Sequence, residues 1–170
     1  MPAKARVTMY KHDSLRQHLS AATPDLQRDP ENFLVFADEG QLVASGTASL
    51  SFEYRFTLNV ILTDYAGNLD GVMVALLAWI AVHQPELLSN PELRKTGISF
   101  EVDYNNHDTV DLSLKLSLTE RIIVSHKEQG RLEIKSRPEP YRTADHTQPF
   151  WTLYAGDNKI AEWATPPAPK

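Results

Sequence analysis

The chain of 170 residues is long enough for one domain with a hydrophobic core, since 42% of it is hydrophobic and 23% is charged. It contains no cysteine, which excludes disulfides, thiolate metal ligands and cysteine nucleophiles and fits a cytosolic origin. The net charge of −5 argues against specific nucleic-acid binding, and the most apolar run, Val72 to Val82, is too short to cross a membrane.

The N-terminal part predicts a flexible segment followed by a helix. Residues 1–10 are polar and irregular, and we expect them to be a flexible N-terminus. Asp13 is a candidate N-cap for a helix of about three turns that ends before Pro24. The apolar face of this helix is formed by Leu15, Leu19 and Ala22.

The next stretch predicts a three-stranded meander whose last strand is unusually long. Phe33 to Ala37 and Leu42 to Ser45 are typical of short strands joined by a turn that contains Gly40. From Ala48 to Leu62 the even positions are apolar and the odd positions are polar except Ile61, as in a strand with one dry face. Such a strand would extend roughly 50 Å, since each residue adds about 3.3 Å. A strand of this length either bends round a core or projects from it to meet another chain.

The clearest helical pattern in the chain follows this strand. Asn68 is a candidate N-cap, and Trp79 lies at the margin of the apolar stripe. The stripe repeats at intervals of three and four residues, at Leu69, Val72, Met73, Leu76, Leu77 and Ile80. After Pro85 a second, short helical segment ends at Gly97.

Two alternating segments then predict a long β-hairpin. Ile98 to Tyr104 is the first, and after a turn rich in Asn and Asp, Val110 to Leu118 is the second, with an extension to Val124. We expect the helical stripe to cover the apolar face of the long strands, formed by Phe52, Tyr54, Phe56, Leu58, Leu112, Leu114 and Leu116. The sequence therefore predicts an α+β fold, with a twisted, mainly antiparallel sheet and helices packed on one face.

The chain changes in character after Gly130, where prolines become frequent. We expect residues 131–170 to form a Pro-rich arm that ends in a small C-terminal hairpin, and residues 11–130 to form the core domain. An isolated two-stranded hairpin is marginally stable in water. Its aromatic residues Trp151, Tyr154 and Trp163 are therefore expected to dock on this chain's own core or on a neighbour.

The residues carry no motif for catalysis or for a bound cofactor. The six histidines form no metal-ligand spacing, and the chain lacks a P-loop, a dinucleotide-binding loop and a GxSxG sequence. A hydrolase with a dispersed site stays an alternative, which a buried cleft with perturbed carboxylates or histidines would support. We therefore assign no catalytic residue, no cofactor and no metal ligand, and expect a protein that is not an enzyme.

One turn concentrates acidic residues and a histidine, at Asp103, His107, Asp108 and Asp111. These side chains could bind a cation, although the spacing of an EF-hand is absent. Asn and Asp also stabilise tight turns by local hydrogen bonds, and that structural interpretation is favoured. A small ligand- or cation-binding module at this turn is the alternative function.

Charged and polar residues on the polar faces of the long strands are candidates for a subunit interface. Glu53, Arg55 and Asn59 lie on one strand and Lys115 on the other. They could equally form a solvated face, with cross-strand pairs worth at most about 1 kcal/mol each. In an interface, such charges would fix register and partner choice. Together with the three aromatic residues of the C-terminal hairpin, these four are the candidate interface residues.

The run from Leu34 to Ile123 resembles a known family. The segments LVFADEG, ASLSFEYRFTLNVILTDYAG, VALLAWIAVHQPELL and LKLSLTERIIV are similar to the tail completion protein R family of contractile-tailed temperate phages of the peduovirus type. The W-x-L-Y and A-E-W segments, at Trp151 to Tyr154 and Ala161 to Trp163, resemble the end of those proteins.

The resemblance implies a structural virion protein that completes the head-proximal end of a contractile tail, in a phage or in a tail-like bacteriocin. A tail-terminator-like fold and a hexameric ring are implied, with a docking surface for the head connector. The implied partners are further copies of this chain, the tail tube, sheath proteins and connector proteins, assembled in the host cytoplasm. DNA would pass through the ring without specific binding, which suits an acidic chain because tight phosphate binding in the lumen would stall ejection.

Overall fold

The computed structural model describes residues 9–140 and 148–165, and these form an α+β fold. The helices are α1 Tyr10–Ala22, α2 Pro24–Arg28, α3 Leu69–His83, α4 Glu86–Ser89 and α5 Pro91–Thr96. The strands are β1 Phe33–Ala44, β2 Phe52–Tyr65, β3 Ile98–Tyr104, β4 Val110–His126, β5 Leu132–Arg137, β6 Phe150–Ala155 and β7 Asn158–Ala164. Within the described part of the chain, every helix is too short or too polar to span a bilayer. The predicted fold class and the antiparallel sheet are confirmed.

Five strands form one curled antiparallel sheet in the order β1-β2-β4-β3, with β5 paired to the far end of β4. Ile122 of β4 lies opposite both Phe52 of β2 and Ser136 of β5, so β5 occupies the edge of β4 that faces away from β2. β3 lies on that same edge, nearer to the start of β4. We call the face that carries the leucines of β4 the inner face, and the opposite face the outer face.

β1 is one strand, not two short ones. The predicted turn near Gly40 is a β-bulge inside it, where Glu39 has a φ of 49° and the register with β2 shifts. The long strand begins at Phe52 and not at Ala48, because residues 45–51 form the loop that joins β1 to β2. The predicted three-stranded meander is therefore wrong, and this part of the chain is a two-stranded hairpin.

α1 begins four residues earlier than the sequence predicts, with Met9 and not Asp13 at the N-cap position, so Asp13 lies in its first turn. The first N–H groups of a helix have no partner inside the helix. Here the carboxylate of Glu120, on β4, accepts hydrogen bonds from the backbone N–H of Tyr10 at 2.8 Å and of Lys11 at 3.3 Å. A side chain more than 100 positions away thus caps α1, and its negative charge suits the helix dipole.

α1 and α3 pack together and against the inner face of the sheet in one hydrophobic core. The core includes the predicted residues Leu15, Leu19, Ala22, Val72, Leu76, Ile80, Phe56, Leu58, Leu112, Leu114 and Leu116. Asn68 caps α3 as predicted, with its Oδ1 accepting from the N–H of Gly71 at 3.1 Å. Leu77 is 43% exposed, whereas Trp79 is only 2% exposed. The buried face is rotated toward Trp79 because α3 also packs on α1, where the Trp79 indole donates to Ser14 Oγ at 3.0 Å.

The C-terminal hairpin, β6 and β7, forms as predicted and docks on this chain's own helices. β7 lies against α1 and α3, with Ala161 buried and Trp163 half-buried beside the core. Gly71 lies at this contact, where a Cβ added to it would meet Ile160 at 3.4 Å, an ordinary van der Waals distance. The fold therefore has three layers: the sheet, the helices and the hairpin.

β5 is a strand that the sequence analysis did not predict. It lies in the stretch expected to be a Pro-rich arm and pairs with residues 121–126 of β4. Apolar and polar residues do alternate at Leu132 to Lys135, but the run is short and Pro138 follows it closely. Beyond β5 the chain turns back toward α1, where Glu139 Oε1 lies 3.1 Å from Lys11 Nζ.

We expect the protein to lose stability in mild acid through His83. Burial, with the charge of Lys11 adding to it, lowers the pKa of His83 from 6.5 to about 4. Below pH 6.5 the unfolded chain takes up a proton that the folded chain refuses, so stability is complete above pH 6.5 and falls as the pH drops toward 4. The full pKa shift corresponds to about 3 kcal/mol in the free energy of unfolding. We expect a loss of roughly 1–2 kcal/mol because the ring is only partly buried.

Urea unfolding of the wild type and of His83→Phe across this pH range measures the effect. Phenylalanine keeps a ring against Trp79, which His83 stacks on with centroids 4.7 Å apart, but it does not titrate. The variant should lose this part of the pH dependence, whereas His107→Gln in an exposed turn should keep it. Identical pH profiles for wild type and His83→Phe would contradict the assignment.

Candidate assembly surfaces

The sheet extends beyond Glu120, whose carboxylate caps the start of α1. We call the part of the sheet beyond this residue the distal end. It comprises residues 41–44 of β1, 52–55 of β2, 121–126 of β4 and all of β5, with the loop 45–51. Apolar side chains stay exposed there, namely Leu42 at 63%, Leu50 at 64%, Leu132 at 46% and Ile134 at 76%. Removing apolar surface from water stabilises by about 25 cal/mol per Å², and contiguous exposed apolar surface marks interaction sites. The distal end is therefore a candidate assembly surface, beside the exposed Leu34 and Phe36 of β1 and Phe100 and Tyr104 of β3.

A buried polar cluster holds the helices to the base of the distal end. Lys11 is 4% exposed, and its Nζ donates to Gln84 Oε1 at 2.8 Å and to Glu139 Oε1 at 3.1 Å. Gln84 also accepts from the backbone N–H of Thr119 at 3.1 Å, which satisfies the edge of β4 between β3 and β5. Burial lowers the pKa of Lys11, and the Glu139 carboxylate opposes that shift. These contacts fix the distal end relative to the helices.

Two of the predicted interface residues, Glu53 and Arg55, form a charged row on the outer face of the distal end. Arg55 Nε donates to Glu53 Oε1 at 2.8 Å, and Arg121 of β4 lies 3.5 Å from the other carboxylate oxygen. The hydrogen bond from Arg55 lowers the pKa of Glu53. Both guanidinium groups are more than half exposed, so the row can contact a partner while its internal pairs persist.

Asn59 and Lys115 lie opposite each other on β2 and β4 but differ in exposure. Asn59 is 3% exposed, and its Nδ2 donates to Asp38 Oδ1 at 2.8 Å. It therefore supports β1 just before the bulge and offers a partner almost no surface. Lys115 is exposed on the outer face, away from the Glu53–Arg55 row.

The three aromatic candidates of the C-terminal hairpin also divide by exposure. Trp151 and Trp163 are cross-strand partners and are both half-buried, with Trp163 packed against the core. Tyr154 is 58% exposed, and Phe150 nearby is 50% exposed. Tyr154 is therefore the hairpin residue most available to a partner, and the tryptophans mainly attach the hairpin to this chain.

The sheet has three edge strands, β1 on one side and β3 and β5 on the other, and the edges of β1 and β5 are covered to different extents. At the start of β1, Arg16 of α1 donates to the carbonyl oxygen of Phe33 at 2.9 Å, and His12 Nε2 lies 2.6 Å from the carbonyl oxygen of Val35. In residues 9–140 and 148–165, no strand pairs with the outer edge of β1 or of β5. The later part of β1 and all of β5 therefore present strand edges that can accept another strand.

The acidic turn between β3 and β4 uses its side chains for the turn itself. Asp111 Oδ1 accepts from the backbone N–H of Asp64 at 2.9 Å and from Asn105 Nδ2 at 2.7 Å, and these hydrogen bonds lower the pKa of Asp111. Asn106 Oδ1 accepts from the backbone N–H of Asp108 at 2.8 Å. In the described part of the chain, no three histidine or carboxylate side chains are placed to share a metal ion.

The perturbed histidines serve packing between helices. His18 Nε2 lies 2.7 Å from the carbonyl oxygen of Ala75, and burial lowers the pKa of His18. His83 stacks on Trp79 in the same helix pair. Neither ring faces a cleft that also holds a perturbed carboxylate, which is the arrangement that the hydrolase alternative needs.

An α+β protein whose distinctive surfaces are an exposed apolar sheet end, open strand edges and a charged row belongs to the class of assembly proteins. The sequence profile of the family described as P2 phage tail completion protein R (GpR) matches residues 9–140. Tail completion protein R of Escherichia phage P2 is 39% identical over 155 residues, which cover 91% of this chain and 99% of that protein. This chain therefore belongs to the P2 phage tail completion protein R family. No solved structure matches it significantly.

Glu53 and Arg55 of the distal end were predicted from sequence, but its four exposed apolar residues were missed. Leu42 was assigned to a short strand, and Leu132 and Ile134 to an arm. Leu50 was assigned to the dry face of the long strand, which is wrong because it lies in the loop 45–51 and is 64% exposed. A signal was present, since Leu132 and Ile134 alternate with Glu133 and Lys135. What the sequence did not reveal is that this strand lies beyond the helices.

Proposed function

We propose that this chain is a structural virion protein that completes the head-proximal end of a contractile phage tail or of a related tail-like particle. The observation that carries the proposal is the 39% identity to tail completion protein R of phage P2 over almost the whole of both chains. Residues that could suggest chemistry are engaged in packing or in turns, so the proposal includes no enzymatic activity.

The exposed distal end supports an assembly role for the fold. A chain that worked as a monomer would gain little from a sheet end with four exposed large apolar side chains. In an assembly the same surface is buried against a neighbour. We propose a tail-terminator-like, hexameric ring on the tail tube, with sheath contacts on the tail side and connector contacts on the head side.

The acidic composition is compatible with passage of DNA through such a ring. A net charge of −5 gives no general attraction for phosphates, so the DNA would slide past without being held. The proposed location is the head-proximal end of the tail in the virion, after assembly in the host cytoplasm.

The native mass of the purified chain, alone and with assembled tail tubes, tests the proposal, together with negative-stain images of the same samples. We expect the chain to cap one end of the tube only, and tubes grown with the protein present to stop lengthening. A chain that stays monomeric and never binds a tube end would contradict the proposal. Tubes incubated with the protein after heat denaturation provide the control.

A further inference from the structure

The open edges of β1 and β5 are complementary to each other, whereas the outer face of β3, the third edge strand, carries Glu101 and Asp103. We infer that copies of this chain join head to tail, with the edge of β1 around residues 38–44 pairing in antiparallel fashion with the β5 edge, Leu132–Arg137, of the next copy. The inference rests on the proposed ring and specifies the contact that builds it.

Strand direction is compatible with this pairing. β1 runs antiparallel to β2, β2 to β4 and β4 to β5, so β5 runs opposite to β1 at the other edge of the sheet. When a second copy continues the sheet in the same orientation, its β5 lies antiparallel to β1 of the first. The alternation of strand directions is then unbroken across the contact, as in an antiparallel sheet within one chain.

The side chains on the outer face match in charge. On the β1 edge, Asp38 and Glu39 are exposed, and Asp38 lies on the outer face opposite Thr57. On the β5 edge, Lys135 and Arg137 are exposed and lie on the outer face opposite Ile123 and Arg121. Glu133 shares that face, but its carboxylate is already paired with Lys127 and Arg131. An acidic edge thus meets a basic edge, whereas pairing of two β1 edges or two β5 edges would place like charges together.

On the inner face, both edges carry an exposed apolar side chain. Leu42 lies opposite Tyr54 on the inner face of β1, and Ile134 lies opposite Val124 on the inner face of β5. Both are more than 60% exposed in the single chain. Joining the two edges brings these apolar side chains together on one face while the charges meet on the other.

The covered part of the β1 edge sets the register of the contact. His12 and Arg16 occupy the carbonyl groups of Val35 and Phe33, so only the later part of β1 is open. The open stretch of β1 lies at a different height on the sheet from β5, so successive copies would be staggered. Stagger of this kind tilts the strands and is required when a sheet closes into a ring.

Head-to-tail contacts use two different surfaces on each copy, and they close into a ring when the rotation between copies permits it. Each copy then donates one edge and accepts the other. The contact also removes the exposed strand edges that would otherwise invite aggregation.

Disulfide cross-linking tests the pairing without background, because the native chain contains no cysteine. Four double variants combine Gln41→Cys or Val43→Cys with Lys135→Cys or Arg137→Cys, all on the outer face. A disulfide needs Cα atoms about 4.4–6.8 Å apart, so only pairs close to the true register will form one. Oxidation of assembled tails, and of the concentrated purified chain, should give a ladder of covalent multimers in at least one double variant.

Single-cysteine variants are the matched controls. In a head-to-tail contact each single variant places only one cysteine at the junction, so it should stay monomeric on a denaturing gel. Dimers from a single variant would indicate a symmetric contact and overturn the inference. A double variant with Gln41→Cys and Ser99→Cys tests the β3 edge, and a ladder there in place of the β5 pairs would also overturn it.

Charge reversal provides a second, independent measurement. Lys135→Glu with Arg137→Glu should weaken self-association at least tenfold, and adding Glu39→Lys should restore part of it. Lys159→Glu on β7, which belongs to the separate two-stranded sheet and has a half-exposed side chain, should change nothing. Tails that are capped at one end but give no ladder would refute the edge pairing and leave the tail-completion proposal standing. A ladder in the purified chain together with uncapped tails would refute the tail-completion proposal and leave the edge pairing standing.

Discussion

Replacing Glu120 with alanine should lower the free energy of unfolding by about 3–5 kcal/mol, the usual cost of removing one partner from a buried charged network. Glu120 is 4% exposed and accepts hydrogen bonds from the N–H groups of Tyr10 and Lys11 and from Ser136 Oγ at 3.4 Å. Alanine removes the carboxylate that accepts from the first N–H groups of α1, including the buried N–H of Lys11. It also removes a negative charge that favours the buried ammonium group of Lys11.

Urea unfolding followed by circular dichroism measures this loss, and hydrogen exchange locates it. Exchange should speed up first in α1, because the cap is lost there. Glu120→Gln keeps one acceptor oxygen and should recover about half of the stability. Glu101→Ala, on the exposed outer face of β3, is the matched control and should stay within about 0.5 kcal/mol of the wild type. Equal unfolding midpoints for Glu120→Ala and Glu101→Ala would contradict the capping role.

Trp79→Ala should destabilise the fold by about 3–5 kcal/mol, as large-to-small substitutions of buried aromatic residues do. The indole is 2% exposed, donates to Ser14 Oγ at 3.0 Å and stacks on His83. Alanine leaves a cavity between α1 and α3 and removes the shorter hydrogen bond of Ser14 Oγ, which keeps only its 3.5 Å contact with His83 Nε2. Since β7 rests on the same two helices, the C-terminal hairpin should loosen as well.

Thermal and urea unfolding of Trp79→Ala, with limited proteolysis of the hairpin, test this expectation. Tyr154→Ala removes an aromatic ring that is 58% exposed and should leave the stability of the single chain nearly unchanged. Trp79→Phe refills most of the cavity but lacks the hydrogen bond, so its stability should lie between those of Trp79→Ala and Tyr154→Ala. A hairpin that resists protease equally in wild type and Trp79→Ala would show that it does not depend on the helix pair.

The elements with strong periodicity could be predicted from sequence because one physical requirement dominates each of them. The alternation in β4 and the stripe in α3 both reflect burial of one face, and Asn68 caps α3 through a local hydrogen bond. Such signals lie within a few residues of the element that they define. They were sufficient for the fold class and for most of the core.

The structure differs from the sequence-based predictions where residues far apart in the chain determine the local conformation. Gly40 and its neighbours are typical of a turn, but pairing with β2 keeps the chain in one strand and turns the local irregularity into a bulge. The start of α1 is set by Glu120 across the core. Asn59 resembles an exposed polar residue in the alternation, yet the bulged edge of β1 covers it. Exposure of the distal end follows from where the helices stop, which no local pattern contains.

The three-layer arrangement makes the C-terminal hairpin a natural marker of direction. Its two-residue turn at Gly156 and Asp157 is exposed, and its strand β7 rests on α1 and α3. A short peptide epitope inserted in that turn would leave both open strand edges untouched, since exposed loop tips tolerate insertions well. Antibody-labelled particles would then show in electron micrographs whether the hairpin layer points along the tail or outward from its axis, and so give the orientation of every subunit in the particle.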